Sequence, residues 1–467
     1  MVPMHYVIVG NGVCGMEAAL ALRRKDGEAR ITLVSDEHDH FYSRTALMYV
    51  FAGQMRLRDT EPYDRGLYER LRFERVRERV AELDAQGKSL RFEAGRTLGY
   101  DRLLLAVGSR ARPAPWPGAS GPGLHYFVTL RDLEGLDHEA KAGRRAVVVG
   151  GGLIGVEVAE ILLARGLQVT FVVRENWYFP LALDEREALM VAEHLRAHGV
   201  DVRLGANVEE VRRGADGALA GVRLGDAPRT QAALAPGAAE VPCDLLVCAI
   251  GVVPSTGFLA TSGLRLAKGG AIEVDDALRA SAPDVWAAGD CANVTWADGS
   301  RRPEQLWYTA RDQGRVAAAS MLGDGATYRR GTWYNSAKFF DLEYTTAGWV
   351  PVRLDWDNTP LDPGPEVSDW FQRSPGRFDS QRIICSGGMN PPSLIKQGGP
   401  SGPPRPPLAA DRVVGFNMLG GRWNHEVLLD WIDSRRSLSF VLDRLAEAQF
   451  DEELSPRWRR QPAVPPT

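Results

Sequence analysis

The start of the chain alternates apolar and polar stretches in a pattern that predicts a strand, a helix and a second strand. His5–Val9 is a short apolar run that ends at a glycine-rich turn. From residue 16 to 24 the apolar positions follow the spacing of one helix face, and 31–34 is apolar again. A strand, a turn, a helix and a strand without gaps indicate an α/β fold.

The glycines of this turn point to a dinucleotide. Gly10 permits a tight turn, Gly12 lets the backbone approach a pyrophosphate, and Gly15 lets the helix pack on the strand. The helix N-terminus favours the phosphate charge. Asp36 follows the second strand, about 20 residues beyond the last glycine, which is the spacing expected of an acid that binds ribose hydroxyls.

The same pattern occurs a second time. An apolar run at 145–149 leads into Gly150, Gly152 and Gly155, then a helix is predicted at 156–164 and a strand at 168–173. Two complete matches imply two dinucleotides. A protein that holds two of them is expected to transfer electrons between them.

Composition and charge exclude several classes of function. The 467 residues suggest about three domains of about 150 residues. With 56 Lys and Arg against 60 Asp and Glu, the net charge of -4 gives no electrostatic surface for nucleic acid or an anionic membrane. The longest apolar stretch, 146–164, carries Glu157 and Glu160, so it is predicted to be a buried strand and helix and not a membrane span.

Cysteine and histidine positions bear on location and on metals. Met1-Val2-Pro3 is followed at once by the first strand, which leaves no room for a signal peptide, so we expect a cytoplasmic protein. The five cysteines form no CxxC, as suits a reducing compartment. We find no ligand spacing among the cysteines or the eight histidines and predict no metal site.

Two further segments carry a family resemblance. Residues 100–109, which include Ala106 and Gly108, and residues 284–290, which end in Asp290, are similar to the later flavin-binding segments of the pyridine nucleotide-disulfide oxidoreductases. The resemblance covers nearly the whole chain. It implies two Rossmann-like, glutathione reductase-like dinucleotide-binding domains with an α+β C-terminal domain, and FAD and NAD(P)H as cofactors.

The segment after the first ribose acid distinguishes members of the family. Disulfide reductases carry a redox CxxxxC there, whereas 41–49 has no cysteine. Arg44 resembles an arginine that ferredoxin reductases and apoptosis-inducing factor place near the flavin; a surface charge is the alternative interpretation. The family lysine that pairs with a glutamate after the second glycine motif is Tyr49 here. Glu157, the matching glutamate, is the other candidate catalytic residue.

Two more residues are candidates for cofactor contact. Trp307 matches a ferredoxin reductase tryptophan at the start of a helix directed at the flavin; a core position is an equal alternative. Arg174 resembles an arginine of NADPH-selective glutathione reductases, and Val173 stands where NAD-selective members have an acid. Glu175 opposes this preference for NADPH, so NAD(P)H is the prediction.

Linkers and the resemblance together predict the domains. Residues 1–115 and 254–325 form an FAD-binding domain, and 116–253, left through a segment that contains Gly251, form an NAD(P)-binding domain. Residues 326–450 form the C-terminal domain, with a Pro- and Gly-rich inserted loop at 390–408 and a tail at 451–467. Residues 337–342 resemble a strand of NADH oxidases, where this domain dimerises, so this chain can form a homodimer.

These inferences predict an FAD-dependent NAD(P)H oxidoreductase that works without a thiol. Its acceptor is expected to be a small iron-sulfur protein or rubredoxin. The alternatives are an NAD(P)H oxidase or quinone reductase, and a redox-controlled binding protein similar to apoptosis-inducing factor.

Overall fold

The computed structural model describes residues 3–226, 239–296, 299–351, 367–374, 376–386 and 411–450. The predicted inserted loop at 390–408 and the tail at 451–467 lie outside the described residues. None of the helices in the described ranges is long and apolar enough to cross a lipid bilayer.

Strands and short helices alternate along the first half of the chain. The strands are β1 (His5–Val9), β2 (Arg30–Val34), β3 (Phe73–Val76), β4 (Val80–Asp84), β5 (Ser89–Phe92), β6 (Thr97–Gly99), β7 (Arg102–Leu105), β8 (Ser109–Ala111), β9 (Leu124–His125), β10 (Arg145–Val149), β11 (Gln168–Val173), β12 (Asp201–Leu204), β13 (Ala206–Arg213) and β14 (Leu219–Asp226). The helices are α1 (Val13–Lys25), α2 (Leu47–Phe51), α3 (Leu67–Arg70), α4 (Leu130–Glu139), α5 (Leu153–Ala164) and α6 (Glu185–Ala197).

The second half has one long helix and a larger share of strands. The strands are β15 (Ala239–Pro242), β16 (Leu245–Cys248), β17 (Val252–Pro254), β18 (Ile272–Glu273), β19 (Val285–Ala287), β20 (Ala292–Thr295), β21 (Arg301–Arg302), β22 (Tyr334–Phe339), β23 (Leu342–Gly348), β24 (Val367–Arg373), β25 (Ser380–Ser386) and β26 (Val413–Leu419). The helices are α7 (Trp307–Leu322), α8 (His425–Asp433) and α9 (Leu438–Arg444).

The chain divides into two compact units. Unit 1 comprises Met1–Pro113, Tyr126–His138 and Gly251–Arg330, and unit 2 comprises Ala114–His125, Glu139–Ile250 and Gly331–Thr467. The division into three domains proposed from the sequence is not decided by these units and stays a prediction.

Unit 1 is built on a parallel sheet in the order β19-β7-β1-β2-β3. The inner strands β1 and β7 are apolar almost throughout, because a parallel sheet is covered on both faces. Its core joins the buried side chains of these strands to α1 and α7. The unit also carries the smaller sheets β4-β5-β6, β17-β8 and β18-β20-β21.

Unit 2 contains a second parallel sheet, in the order β12-β11-β10-β16-β9, and an antiparallel sheet β13-β14-β15. The same unit holds the antiparallel sheet β22-β23-β26-β25-β24, on which α8 packs. The α/β fold with two Rossmann-like sheets and an α+β C-terminal part, predicted from the sequence, is confirmed.

Several predicted boundaries move by a few residues. β1 and β11 match the prediction at both ends, whereas α1 and α5 begin at Val13 and Leu153, three residues earlier than predicted. Each helix starts directly after its turn because a glycine, Gly12 or Gly152, is its N-cap. Residues 337–342 are not one strand: β22 ends at Phe339 and β23 begins at Leu342, with a two-residue turn between them.

Candidate functional site

The first glycine turn has backbone contacts that leave no room for a side chain at two of its three glycines. Gly10 has φ +116°, and a Cβ there would lie 2.0 Å from the carbonyl oxygen of Ala106. A Cβ on Gly15 would lie 1.9 Å from the carbonyl oxygen of Gly10. A Cβ on Gly12 would meet nothing within 4 Å. The turn is therefore rigid at Gly10 and Gly15 and open at Gly12, which is where a phosphate would approach.

The second turn repeats this geometry in unit 2. Gly150 has φ +128°, and its Cβ would lie 2.2 Å from the carbonyl oxygen of Ala249. A Cβ on Gly155 would lie 2.1 Å from the carbonyl oxygen of Gly150, and one on Gly152 would again meet nothing within 4 Å. The predicted similarity of the two glycine motifs thus extends to their backbone conformation.

Two consecutive acids follow β2, and they differ in environment. Asp36, the predicted ribose acid, is 39% exposed and accepts a hydrogen bond from Arg79 Nε at 2.7 Å. Glu37 is only 15% exposed. Its carboxylate accepts hydrogen bonds from the Tyr42 hydroxyl at 2.6 Å and the Leu130 backbone N–H at 2.7 Å. The sequence analysis missed Glu37, and the ribose role of Asp36 stays a prediction.

Arg44 is the third partner of Glu37. Its Nη2 lies 2.7 Å from Glu37 Oε2, and its Nη1 donates to the carbonyl oxygen of Val128 at 3.0 Å. Burial alone would raise the pKa of Glu37, but Arg44, Tyr42 and the backbone N–H of Leu130 lower it below its ordinary value. Arg44 is therefore held in place by a largely buried carboxylate, although its own side chain is 46% exposed.

Asp290 follows β19 and lies beside the segment that includes Gly108. Its Oδ2 accepts a hydrogen bond from the Ser109 hydroxyl at 2.8 Å. Burial raises the pKa of Asp290, while Ser109 and Arg44 oppose the shift. Gly108 has φ +64°, so the chain turns sharply just before Ser109. The structure thus brings together the segments around Gly108 and Asp290 that were predicted from different parts of the sequence.

Helix α7 packs against the first glycine turn. A Cβ on Gly314 would lie 2.3 Å from the carbonyl oxygen of Cys14, and Gln313 Oε1 accepts from the Gly289 backbone N–H at 2.8 Å. Trp307 is the first residue of α7, and its indole Nε1 is buried with no hydrogen-bond partner among the described residues. A buried donor of this kind is expected to pair with a polar atom of a ligand. This observation fits a bound flavin dinucleotide in unit 1.

The side chains that follow β11 make the surroundings of the second glycine turn different from those of the first. Arg174 Nη2 lies 3.4 Å from Glu175 Oε1, with Arg174 39% and Glu175 14% exposed. The other Glu175 oxygen lies 3.3 Å from the position of a Cβ on Gly151, so this carboxylate is held against the glycine turn. Val173 is fully buried. An arginine and an acid are therefore both next to the predicted nicotinamide dinucleotide site.

Glu157 lies on α5 near a second carboxylate. Burial and then Glu160 raise the pKa of Glu157 to about 7, although Lys338 acts in the opposite direction. Lys338 Nζ pairs with Glu160 Oε1 at 2.8 Å. The catalytic role proposed for Glu157 stays a prediction.

Gly251 is the remaining residue predicted to contact a cofactor. It has φ +103°, and its carbonyl accepts a hydrogen bond from the Arg112 backbone N–H.

The cysteines are thiols buried in the two units. Burial raises the pKa of Cys291 to about 12 and that of Cys14 well above its ordinary value. Both thiols are therefore protonated at neutral pH, and a protonated thiol is a poor nucleophile. Neither residue is therefore suited to act as a redox thiol.

Known proteins resemble this chain in sequence and in fold. The family model described as pyridine nucleotide-disulphide oxidoreductase matches residues 4–314. The 5,5'-dehydrodivanillate O-demethylase ferredoxin reductase subunit of Sphingobium sp. is 32% identical, over 73% of this chain and 81% of that protein. The ferredoxin--NAD(+) reductase component of the biphenyl dioxygenase system of Paraburkholderia xenovorans is also 32% identical, over 68% of this chain and 74% of that protein.

A solved structure supports the same fold. The covalent putidaredoxin reductase–putidaredoxin complex matches with a TM-score of 0.73 at 22% identity, over 93% of this chain and 92% of that chain. The paired glycine turns, the flavin-binding segments and the family match agree with one another. The chain therefore belongs to the pyridine nucleotide-disulphide oxidoreductase family and is an oxidoreductase that uses FAD and NAD(P)H.

Proposed function

We propose that this protein takes electrons from NAD(P)H and passes them to a small iron-sulfur protein. The observation that carries the proposal is the segment at 41–49, which holds Arg44 in an ion pair and contains no cysteine. With Cys14 and Cys291 buried and protonated, electrons leave without a thiol relay. Relatives named as ferredoxin reductases support an iron-sulfur acceptor.

We assign the flavin to unit 1. The turn at Gly10, Gly12 and Gly15 would hold the pyrophosphate, and Asp290 would accept hydrogen bonds from hydroxyl groups of the bound FAD. The indole N–H of Trp307 would donate to a polar atom of the same group. When bound, FAD supplies the exchange between a two-electron donor and one-electron acceptors.

We assign NAD(P)H to the second turn, formed by Gly150, Gly152 and Gly155. Arg174 offers a planar, charge-assisted contact to a 2'-phosphate, and Glu175 favours a ribose that carries a free 2'-hydroxyl. Because Arg174 and Glu175 have opposite preferences, the pair supports use of both NADH and NADPH. The preference between the two nucleotides is set by which side chain turns toward the ribose.

We extend the proposal to organisation and location. The domains are those predicted from the sequence: 1–115 with 254–325 for FAD, 116–253 for NAD(P)H, and 326–450 for a homodimer contact. A cytoplasmic location is supported by five buried cysteines that form no disulfide.

The proposed function is tested by measuring whether electrons from NAD(P)H reduce a ferredoxin or oxygen. Under anaerobic conditions, NADH or NADPH should drive reduction of a [2Fe–2S] ferredoxin, seen as bleaching of the iron-sulfur absorbance. A matched reaction in air, without ferredoxin, measures the oxidase rate. A fast oxidase rate with no ferredoxin reduction would contradict the proposal and favour the oxidase alternative.

A further inference from the structure

Two histidines and an aspartate of unit 2 lie together in the fold. His194 is on α6 and His198 is its C-cap, and Asp341 belongs to the turn between β22 and β23. Asp341 Oδ1 lies 2.8 Å from His194 Nε2 and 3.3 Å from His198 Nε2. One ligand atom from each residue lies within 4.8 Å of the other two. The sequence prediction of no ligand spacing overlooked the His194-x-x-x-His198 pair.

The histidines are oriented before any ion binds. Residues four apart share one face of a helix, so both rings project in the same direction. His198 Nδ1 lies 2.9 Å from the carbonyl oxygen of His194. Because a carbonyl can only accept, Nδ1 carries the proton, and a neutral His198 therefore has its lone pair on Nε2. A backbone partner on the second ring nitrogen is the usual support of a metal-binding histidine.

Aromatic side chains and a tight turn fix the other parts of the cluster. The ring of Phe378 packs on His194 at 4.8 Å between centroids, and that of Phe340 packs on His198 at 5.0 Å. Phe340 has φ +61°, and the strand pairing of Phe339 with Leu342 closes the turn around Asp341. The three donor side chains are therefore held by ring packing and by a closed turn.

The electrostatics of the cluster suit a divalent cation. The Nε2 lone pair of a neutral His198 faces a carboxylate oxygen, an arrangement that a cation between them stabilises. His194 Nε2 lies 2.8 Å from the same carboxylate oxygen, and the His194 side chain is only 7% exposed. The nearby cation Lys338 has a carboxylate partner in Glu160.

We propose that His194, His198 and Asp341 bind a divalent transition-metal ion, with Zn²⁺ the best match. Two imidazole nitrogens and one carboxylate oxygen are a usual zinc donor set, and ions that prefer all-oxygen sites are disfavoured. Asp341 is 75% exposed, so a water molecule can reach the fourth position. The ion would link α6 to the β22–β23 turn, elements 147 residues apart in sequence, and so stabilise unit 2.

A second histidine cluster lacks these properties. His38, His40 and Glu61 also lie within ligand distance of one another. However, Arg75 Nη1 lies 2.8 Å from His40 Nε2, and Arg65 pairs with Glu61 at 2.7 Å. Guanidinium groups already pair with the donor atoms of His40 and Glu61, so this cluster is not expected to bind an ion. Substitution of its third member, His38, is therefore a matched control.

The test is zinc binding to the FAD-loaded full-length protein after treatment with EDTA. Isothermal titration with ZnCl2 should give one saturable site, and Co²⁺ should give the visible bands of a four-coordinate ion. His198→Gln and Asp341→Asn should each weaken zinc affinity at least about 100-fold. His38→Gln should leave it within about twofold.

Retained FAD and an unchanged circular dichroism spectrum show that each variant is folded. Because Asp341 is exposed, Asp341→Asn is expected to fold. It keeps the test valid if His198→Gln does not fold. The proposal is overturned if the parent protein shows no saturable zinc binding. It is equally overturned if Asp341→Asn binds as tightly as the parent, or if His38→Gln abolishes binding.

Discussion

The two glycine turns have nearly the same backbone but different side-chain surroundings. In both turns the first glycine lies against a carbonyl oxygen, 2.0 Å from a Cβ on Gly10 and 2.2 Å from one on Gly150. In unit 1 the acid Glu37 is held by three donors, including Arg44. In unit 2 the corresponding region presents Arg174, which lies 3.4 Å from its acidic neighbour. The two arginines are similarly exposed, Arg44 by 46% and Arg174 by 39%, so the units differ in hydrogen bonding and not in burial.

The difference in hydrogen bonding suits two kinds of ligand. A preorganised set of charges that is held by several short hydrogen bonds lowers the cost of ordering the site, so it suits a cofactor that stays bound. A pair joined by a longer contact is held less tightly, and it suits a substrate that enters and leaves at each turnover. We infer that unit 1 retains FAD and unit 2 exchanges NAD(P)H.

The largest expected effect comes from closing either turn with a methyl group. Gly10→Ala adds a clash with Ala106 and strain at φ +116°, and should destabilise unit 1 by at least about 3 kcal/mol and abolish FAD binding. Gly150→Ala should leave FAD bound, but NAD(P)H should no longer reduce it. Flavin absorbance of the purified proteins, before and after addition of NADH or NADPH, distinguishes the two results.

Controls for these variants separate the clash from backbone strain. Gly53 and Gly143 also have positive φ, but a Cβ on either would meet nothing within 4 Å. Gly53→Ala and Gly143→Ala should therefore be milder than the turn variants. If Gly10→Ala and Gly150→Ala both lose FAD equally, the assignment of the two turns to different ligands is wrong.

An intermediate effect is expected at the nucleotide ribose of unit 2. Arg174→Ala should raise the KM for NADPH about 10- to 100-fold, because a charge-assisted hydrogen bond to a phosphate contributes about 1.5–3 kcal/mol. The KM for NADH should hardly change. Glu175→Gln is the matched variant and should lower the KM for NADPH. Steady-state kinetics with both nucleotides measures the ratio, and equal effects of Arg174→Ala on both would refute the assignment.

A smaller effect, opposite in sign in the two units, is expected from pH. The lowered pKa of Glu37 stabilises the folded state above about pH 4.5, and this stabilisation is lost as the pH falls. The raised pKa of Glu157 has the opposite effect on stability. The folded state becomes less stable as the pH rises from about 4.5 to about 7, because the carboxyl ionises more readily in the unfolded chain. Glu37→Gln should therefore lower stability at pH 8, and Glu157→Gln should raise it, each by about 1 kcal/mol.

Thermal unfolding of the FAD-loaded proteins at pH 8 and pH 5 measures this difference. Glu157→Gln should approach the parent protein at pH 5, because the parent Glu157 carboxyl is then protonated in the folded state. Glu37→Gln should still be less stable than the parent at pH 5, because the stabilisation by Glu37 is lost only below about pH 4.5. A Glu157→Gln variant that is less stable than the parent at pH 8 would contradict the account of that residue.

Local patterns in the sequence were enough to predict both turns, because a strand, a glycine turn and a helix interact over a few neighbouring residues. β1 and β11 were predicted at both ends for this reason. The choice between Asp36 and Glu37 could not be made in this way. It depends on Leu130, which is 93 residues away and donates to Glu37 only in the folded chain.

The histidine cluster also depends on a contact between residues that are far apart in the sequence, which local patterns do not reveal. The spacing of His194 and His198 is visible in the sequence, but their partner Asp341 is brought to them by a turn far along the chain. The flavin contacts proposed for Gly108 and Asp290 came from family resemblance, and their proximity to each other is a property of the fold.

We propose that electrons pass from NAD(P)H to an iron-sulfur acceptor through bound flavin without any thiol. The most direct measurement uses a chain in which all five cysteines are replaced by Ser or Ala, with an expected stability loss of about 1–2 kcal/mol from packing at Cys14 and Cys291. Anaerobic NAD(P)H-dependent reduction of a [2Fe–2S] ferredoxin should remain within about an order of magnitude of the parent rate. A cysteine-free protein that binds FAD and is reduced by NAD(P)H, yet does not reduce the ferredoxin, would contradict the claim.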